Sequence, residues 1–437
     1  MKDYRLPDRK SEAKRTGDPV RSVFTAAEDI KQLGTGRKYF IRTYGCQANV
    51  RDSETIAGIL EMMNFECGTG YEDSDVIIFN TCAVRHAAEE HVLGEIGNLK
   101  HFKTEHPDKI FVLCGCMSQE EGIVSQIIRS YPQIDLVFGT HDLARLPELL
   151  KKTMSGSRTI DVSSHQGNIV EQMPVERSRK YKAFVNIAYG CDKFCTYCIV
   201  PYTRGRERSR LYEYVIEEVQ KFKESGGREV TLLGQNVNSY GKNLEEPISF
   251  AELLRRIEKI EGLHRIRFMT SHPKDCTKEL IDTIAECEKL SKHIHLPVQS
   301  GNNRILKEMN RHYDRKKYLE IVNYAKEKID GLSLTSDIIV TDDTKDLSLP
   351  VDASGTFVLD LNGHEIIINS DKTTSVFNIG SYFSTEFHVI NSSATRSQIT
   401  LNSIADGASV FYINDERSSL HIYDGIDIGV CLNGNYF

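Results

Sequence analysis

Cys191, Cys195 and Cys198 stand in the run Tyr189-Gly190-Cys191-Asp192-Lys193-Phe194-Cys195-Thr196-Tyr197-Cys198. Three thiolates within eight residues, directly after a β-type run, can wrap around one iron–sulfur cube. Such clusters usually take four cysteines, so a local set of three leaves one iron open to bind and activate a substrate. A zinc site short of one ligand is the alternative, with His293 or His295 to complete it, although zinc sites mostly show paired C-x2-C spacing. A second trio, Cys46, Cys82 and Cys116, is scattered in sequence, but each member closes its own β-type run. Free cysteine is among the most buried residue types, so on spacing alone these three read equally as core thiols or as ligands.

The elements that must hold these residues are legible in outline. The chain has 437 residues, 40% apolar and 27% charged, with eleven cysteines, no tryptophan and a formal net charge of −7. That length allows about two to four domains, and the composition excludes a disordered chain, a collagen-like repeat or a small disulfide scaffold. No apolar run approaches the ~20 residues of a membrane span, and the polar start lacks the apolar core of a secretory signal. A cytoplasmic protein with reduced cysteines is expected, which turns eleven thiols toward metal or redox chemistry. Residues 1–36 read as a polar extension. From 37 to 150, strand-type runs (Lys38–Thr43, Asp75–Asn80, Ile110–Cys114) alternate with helical stretches, the pattern of a parallel α/β sheet. Functional residues of such sheets gather at the C-terminal ends of strands, where Cys46, Cys82 and Cys116 fall. Residues 151–180 suit a linker, and 181–340 hold five βα-type units in succession, which predicts a barrel or half-open barrel.

The cluster loop after the first strand of a βα barrel resembles the radical S-adenosylmethionine superfamily. The surrounding text, TYGCQANVRDSE, FNTCAVR, LCGCMSQ, YGCDKFCTYCIVPYTRGRERSR, LLGQNVNSYG, SHP, HLPVQSGNNRILKEMNRHY and LTSDIIV, resembles the tRNA methylthiotransferases within it, over residues 37–340. The resemblance implies two [4Fe–4S] clusters, one on Cys191, Cys195 and Cys198 and an auxiliary one on Cys46, Cys82 and Cys116. It implies that S-adenosylmethionine serves both as methyl donor and as source of a 5′-deoxyadenosyl radical, the protein positioning the cofactor and keeping water out. The implied product is methylthiolated at C2 of N6-isopentenyladenosine beside the tRNA anticodon. Threonylcarbamoyladenosine or a ribosomal-protein aspartate are the substrates of related branches. Implied partners are tRNA, an electron donor such as flavodoxin or ferredoxin and an unidentified sulfur source, with the chain a monomer and no membrane involved. Cys114 reads as structural, and Cys67, Cys276, Cys287 and Cys431 have no partner at cluster spacing.

Other residues carry softer expectations. Arg204, Arg206, Arg208 and Arg210 offer planar forks for the S-adenosylmethionine carboxylate or RNA phosphates, with a solvated basic loop as the plain alternative. Gln235 and Asn236, then Ser271 and His272, end strands and are expected at the barrel mouth as cofactor-binding residues; His295, Gln299 and Asn302 lie at analogous ends.

The texture changes at residue 341. Residues 341–437 hold 4 Lys+Arg against 13 Asp+Glu, while the first 340 hold 51 and 49. The glycine-rich turn and the sixth barrel strand that the family would place after Ser336-Asp337-Ile338-Ile339-Val340 are replaced by Thr341-Asp342-Asp343-Thr344-Lys345. Short Ile/Val/Phe/Thr runs bounded by Asn, Ser, Gly and Asp predict an all-β segment, a sandwich or a β-solenoid fragment. The expected fold class is therefore α/β: an N-terminal parallel-sheet domain and a radical-S-adenosylmethionine barrel truncated after its fifth strand, followed by an unrelated all-β acidic segment. Two origins for the junction stay open, a natural fusion and a chimeric or truncated gene. Its position inside a barrel rather than in a linker favours the chimera. A truncated barrel would leave its fifth strand with an unpaired edge. An inactive cluster- or RNA-binding remnant is the competing functional reading.

Overall fold

The computed structural model describes residues 20–83, 86–162 and 168–339, and beyond them the backbone of short strands between 344 and 436. It divides into two compact units, residues 1–270 with 287–290 and residues 271–286 with 291–437.

The first unit opens with β1 (Arg21–Val23), β2 (Lys38–Thr43), α1 (Gln47–Met62), β3 (Glu66–Cys67), β4 (Val76–Thr81), α2 (His86–Asn98), α3 (Lys100–Glu105), β5 (Ile110–Gly115), α4 (Glu121–Ser130), β6 (Leu136–Phe138), α5 (Leu146–Met154) and β7 (Thr159–Asp161). Six strands form one parallel sheet in the order β3-β2-β4-β5-β6-β7. β4 is buried along its whole length, as expected of a central parallel strand covered on both faces. Ile78, Val112 and Leu136 pack on one face against Ile56, Ile59 and Leu60 of α1. Ile77, Phe79, Phe111 and Leu113 pack on the other against Val92, Ile96 and Ile127. Each fully buried Ile or Phe contributes about 1.5–3 kcal/mol relative to exposure, so the sheet's register is strongly fixed.

The stretch expected as a linker is structured. It supplies β7, the sixth strand of the sheet, and β8 (Ile169–Glu171), which pairs in parallel with β1 from the expected N-terminal extension. The domain boundary drawn at residue 150 therefore cuts the sheet short. A short, isolated strand such as Thr159–Asp161 leaves too little periodicity to be seen in sequence.

The rest of this unit holds β9 (Lys182–Asn186), β10 (Ala188–Tyr189), α6 (Val200–Thr203), β11 (Arg208–Ser209), α7 (Tyr212–Glu224), β12 (Glu229–Leu233), α8 (Phe250–Glu258) and β13 (Arg265–Phe268). β9, β12 and β13 form a parallel sheet in the order β13-β12-β9, matching the expected βα units. Ser249 caps α8 by accepting from the Glu252 N–H at 3.1 Å. A buried ionic hub ties the sheet domain to this region: Glu218 of α7 accepts from Arg51 of α1 (2.9 Å), Arg177 (2.6 Å) and Arg210 (2.7 Å). Burial pushes the Glu218 carboxyl up, but the three guanidinium groups outweigh it and hold the group well below its ordinary range.

The second unit holds α9 (Lys278–Glu286), β14 (His293–His295), α10 (Asn303–Glu308), α11 (Arg315–Lys328) and β15 (Ser333–Ile339). Beyond β15 lie β16 (Thr344–Lys345), β17 (Leu349–Val351), β18 (Gly355–Asp360), β19 (Glu365–Ser370), β20 (Phe377–Ile379), β21 (Thr385–Ile390), β22 (Ser397–Ser403), β23 (Phe411–Ile413), β24 (Ser419–Ile422), β25 (Ile426–Leu432) and β26 (Asn435–Tyr436). They stack in three ladders, β15-β18-β21-β24, β16-β19-β22-β25 and β17-β20-β23, all parallel. Of the two expected all-β forms this is the solenoid, since a sandwich would pair its strands antiparallel. The expectation of an unpaired edge on the fifth barrel strand is corrected: β15 pairs with β14 through His293–His295 and with β18 through Phe357–Asp360. No helix among the described residues is long and apolar enough to cross a membrane.

Candidate functional site

The scattered trio is assembled by sheet order. β2, β4 and β5 are parallel neighbours with Thr43 opposite Asn80 and Thr81 opposite Gly115, so their C-terminal ends align. Cys82 and Cys116 follow those ends directly, and Cys46 caps the N-terminus of α1 after the turn Tyr44-Gly45. The turns need glycine: Gly45 and Gly115 have φ of 96° and 94°. A Cβ on Gly45 would stand 2.8 Å from the Cys82 Sγ, and one on Gly115 2.3 Å from the Thr81 carbonyl oxygen.

Asn49, fully buried three residues after Cys46, organises the trio. Its amide nitrogen donates to the carbonyls of Tyr44 (3.0 Å) and Thr81 (2.6 Å). Its oxygen is thereby turned to Cys46 Sγ (3.5 Å) and Cys116 Sγ (3.9 Å). The Cys46 thiol is pulled down to about 5, first by a hydrogen bond from Cys82, then by the charge of Arg204 and the N–H groups of Asn49 and Ala48, with burial opposing. Burial pushes the Cys116 thiol up, with Arg204 opposing. Cys114 is buried in the sheet core and its thiol is driven well above the ordinary range, in keeping with a structural role.

The compact trio is set by one loop. Gly190, at φ 72°, opens it, and a Cβ there would meet the Arg206 carbonyl oxygen at 2.1 Å. The Cys191 N–H donates to Gly205 O (3.1 Å) and the Cys198 N–H to Cys195 O (3.0 Å), folding the loop back on itself. Burial raises the Cys191 thiol, and the nearby Cys198, Glu207 and Cys195 add to it. Phe194 packs edge-on against Tyr202 and under the Arg206 guanidinium.

Both trios fit the chemistry of an iron–sulfur cubane. Each offers three thiols, and a cubane that takes three protein thiolates keeps one iron open.

The four arginines of the following loop do not form a free basic surface. Arg204, expected on cofactor or phosphate, is buried and turns to the scattered trio: Nε donates to Cys116 Sγ (3.2 Å), and Nη2 to Asn49 Oδ1 (3.1 Å) and Asp52 Oδ2 (2.7 Å). Arg206 pairs with Asp192 of the cluster loop through Nε (2.6 Å) and Nη2 (3.1 Å). Arg208 donates to the Arg206 and Arg204 carbonyls, and Arg210 to Glu171, Glu218 and Asn186 O. At the end of β12, Asn236 is buried and Gln235 half-buried. Ser271, His272, His295, Gln299 and Asn302 belong to the second unit. There His272 Nδ1 accepts from the Lys274 N–H (3.2 Å), and the Ser271 hydroxyl is buried with no partner among the described residues. Asn302 caps a helix: its oxygen accepts from the Arg304 N–H at 2.9 Å, at the start of α10. Cys431 falls outside the described side chains.

Three residues escaped the sequence reading. Asn49 and Asp52 lie in a motif already quoted, where an Asn three residues after a cysteine at a helix start was the available signal. Asn238 is buried beyond β12 with neither amide atom partnered among the described residues, an orphan suited to a polar ligand.

The sequence matches the uncharacterized protein family UPF0004 over residues 38–139 and the radical SAM superfamily over residues 185–346. It is 54% identical over 312 residues to a tRNA-2-methylthio-N(6)-dimethylallyladenosine synthase from Alkaliphilus oremlandii, covering 71% of this chain and 66% of that protein. Proteins of the same name from Clostridium tetani (51% over 319 residues, 73% of this chain, 70% of that protein) and Staphylococcus aureus strain JH9 (49% over 341, 77% and 66%) are also similar. The chain thus spans about two thirds of the length of these relatives. Among solved structures, the cobalamin-dependent S-adenosylmethionine radical enzyme OxsB with aqua-cobalamin and S-adenosylmethionine bound is similar in fold. It has a TM-score of 0.50 at 15% identity, over 72% of this chain and 50% of that one. The apo, selenomethionine-labelled form of the same enzyme gives 0.51 at 14% identity, over 74% and 51%.

Proposed function

We propose that this chain, which belongs to the tRNA methylthiotransferase family of radical S-adenosylmethionine proteins, adds a methylthio group at C2 of N6-dimethylallyladenosine (isopentenyladenosine) beside the anticodon of tRNA. The observation that carries the reading is the pair of cysteine trios in one compact unit, one on a loop after β10 and one on three aligned strand ends. Cys191, Cys195 and Cys198 would hold one [4Fe–4S] cluster, which supplies the electron that cleaves S-adenosylmethionine. Cys46, Cys82 and Cys116 would hold the second, on the sulfur-inserting side.

The protein's own contribution is placement. Gly190 and the Gly205 carbonyl fix the backbone of the loop that carries the three cysteines. Asn238 brings an unpaired amide suited to a polar cofactor. The Glu218 hub holds α1, which carries Asn49 and Asp52, against α7. One S-adenosylmethionine is consumed as methyl donor and a second as radical source, with reducing equivalents from a flavodoxin- or ferredoxin-type donor, and the chain acts as a cytoplasmic monomer. Turnover is lowered in this chain. The superfamily match ends at residue 346, and residues 341–437 offer 4 cations against 13 carboxylates to an RNA backbone.

Mass spectrometry of tRNA nucleosides from a strain lacking its own methylthiotransferase, complemented with this gene, tests the proposal. Appearance of the 2-methylthio nucleoside supports it. Anaerobically reconstituted chain that binds about eight irons, four per cubane, yet yields no 5′-deoxyadenosine overturns it in favour of an inactive remnant. Methylthiolation at the full rate of a relative would overturn the lowered turnover.

A further inference from the structure

Arg204 lies six residues after Cys198, at the end of the short helix α6 that follows the cluster loop. Its side chain nevertheless ends among the residues of the other trio. The residue is only 6% exposed, and its partners come from two distant places in the chain: Cys116 Sγ at 3.2 Å after β5, and Asn49 Oδ1 at 3.1 Å and Asp52 Oδ2 at 2.7 Å on α1. A planar guanidinium can donate to acceptors in these divergent directions at once, which a lysine ammonium on its flexible stem does less well. Asn49 extends the contact, because the oxygen that accepts from Arg204 also faces Cys46 and Cys116. The anchor is rigid: Arg204 N donates to Val200 O at 2.8 Å, and the neighbouring Thr203 carbonyl accepts from Thr140 Oγ1 at 2.6 Å, from the loop after β6.

We propose that Arg204 is a positioning residue of the Cys46–Cys82–Cys116 site, which couples the cluster loop to that site and sets its charge, and that it does not bind the S-adenosylmethionine carboxylate. This rests on the reading of that trio as cluster ligands. A permanent cation donating to a ligating sulfur stabilises the reduced, more negative form of a bound cluster and so raises its reduction potential.

The test uses the full chain, reconstituted anaerobically, in a background where Cys191, Cys195 and Cys198 are alanine, so that only the scattered trio can bind iron. Arg204→Gln is expected to shift the reduction equilibrium of that cluster about tenfold toward the oxidised form, about 59 mV downward for one electron. Arg204→Lys should recover part of the shift. Because Arg204→Gln alone leaves Asp52 buried without its cation, the charge-neutral pair Arg204→Gln/Asp52→Asn keeps the measurement possible if the single variant fails to fold, and the same shift is expected. In the chain with all six cysteines, the affinity for S-adenosylmethionine should stay within twofold. An unchanged potential with bound iron overturns the inference alone. A tenfold weaker S-adenosylmethionine affinity with unchanged potential overturns it in favour of carboxylate binding. Absence of iron from the background chain overturns the ligand reading and the inference with it.

Discussion

The two cysteine trios are assembled by opposite routes. Cys191, Cys195 and Cys198 come from a single loop, and its geometry depends on a few local features such as Gly190 and the Cys191–Gly205 backbone bond. Cys46, Cys82 and Cys116 span 71 residues and meet only because β2, β4 and β5 are neighbours in one parallel sheet. A local site can form as soon as its loop closes, whereas a dispersed site inherits the stability of the sheet core beneath it.

Exchanging each trio separately gives the largest expected contrast. Replacing Cys191, Cys195 and Cys198 by alanine should abolish 5′-deoxyadenosine formation and remove about four irons. Replacing Cys46, Cys82 and Cys116 should remove as many irons, leave S-adenosylmethionine cleavage in place and abolish methylthiolation; iron assay and chromatography of the nucleoside check both. If cleavage disappears equally in the two, the division of labour is broken. Next in size is the hub that holds α1 against α7. Glu218→Gln should cost about 3–5 kcal/mol in urea unfolding, because it leaves buried arginines without their carboxylate. Since the Glu218 carboxyl is held well below its ordinary 4.5, the stability it lends is complete above that value and is lost as pH falls below it. Wild-type stability should therefore drop more steeply below about pH 4.5 than that of Glu218→Gln, as thermal melts across that range would report.

A matched pair of glycine variants sharpens the contrast at smaller scale. Gly115→Ala and Gly190→Ala each force a side chain into a left-handed backbone against a carbonyl oxygen, at a cost of about 2 kcal/mol or more. Gly115→Ala should lose iron from the dispersed site and Gly190→Ala from the local one, as cluster-resolved electron paramagnetic resonance would show. The smallest effect belongs to a residue of neither trio: Asn302→Ala should cost about 1 kcal/mol as a lost helix cap, with S-adenosylmethionine affinity unchanged and Asn302→Asp restoring stability.

The same contrast explains what the sequence disclosed. Spacing alone exposed the local trio, because three cysteines in eight residues leave little else to mean. The dispersed trio needed the alternation of strand and helix around Lys38–Thr43, Val76–Thr81 and Ile110–Gly115, which long apolar runs made visible. Strands of three residues such as Leu136–Phe138, Thr159–Asp161 and Ile169–Glu171 stayed hidden, since their pairing is set by tertiary neighbours. The contacts of Arg204 were hidden for a related reason: chain proximity ties it to the cluster loop, while packing of α6 delivers its guanidinium to partners 88 and 152 residues away. Asn302, too, lay beside a strand end in sequence and turned out to serve the helix that starts there.

The distance between Cys116 and Arg204 also sets a clock. The dispersed trio is complete in the nascent chain 88 residues before Arg204 is made. At about 5–20 residues per second, translation leaves roughly 4–18 s in which the sheet can fold while the trio has no arginine beside it. Iron arriving in that window would meet the trio without its arginine; iron arriving afterwards would meet the buried Arg204–Asp52 ion pair at its edge. The placement of one side chain thus separates in time the completion of the trio from the arrival of its buried cation.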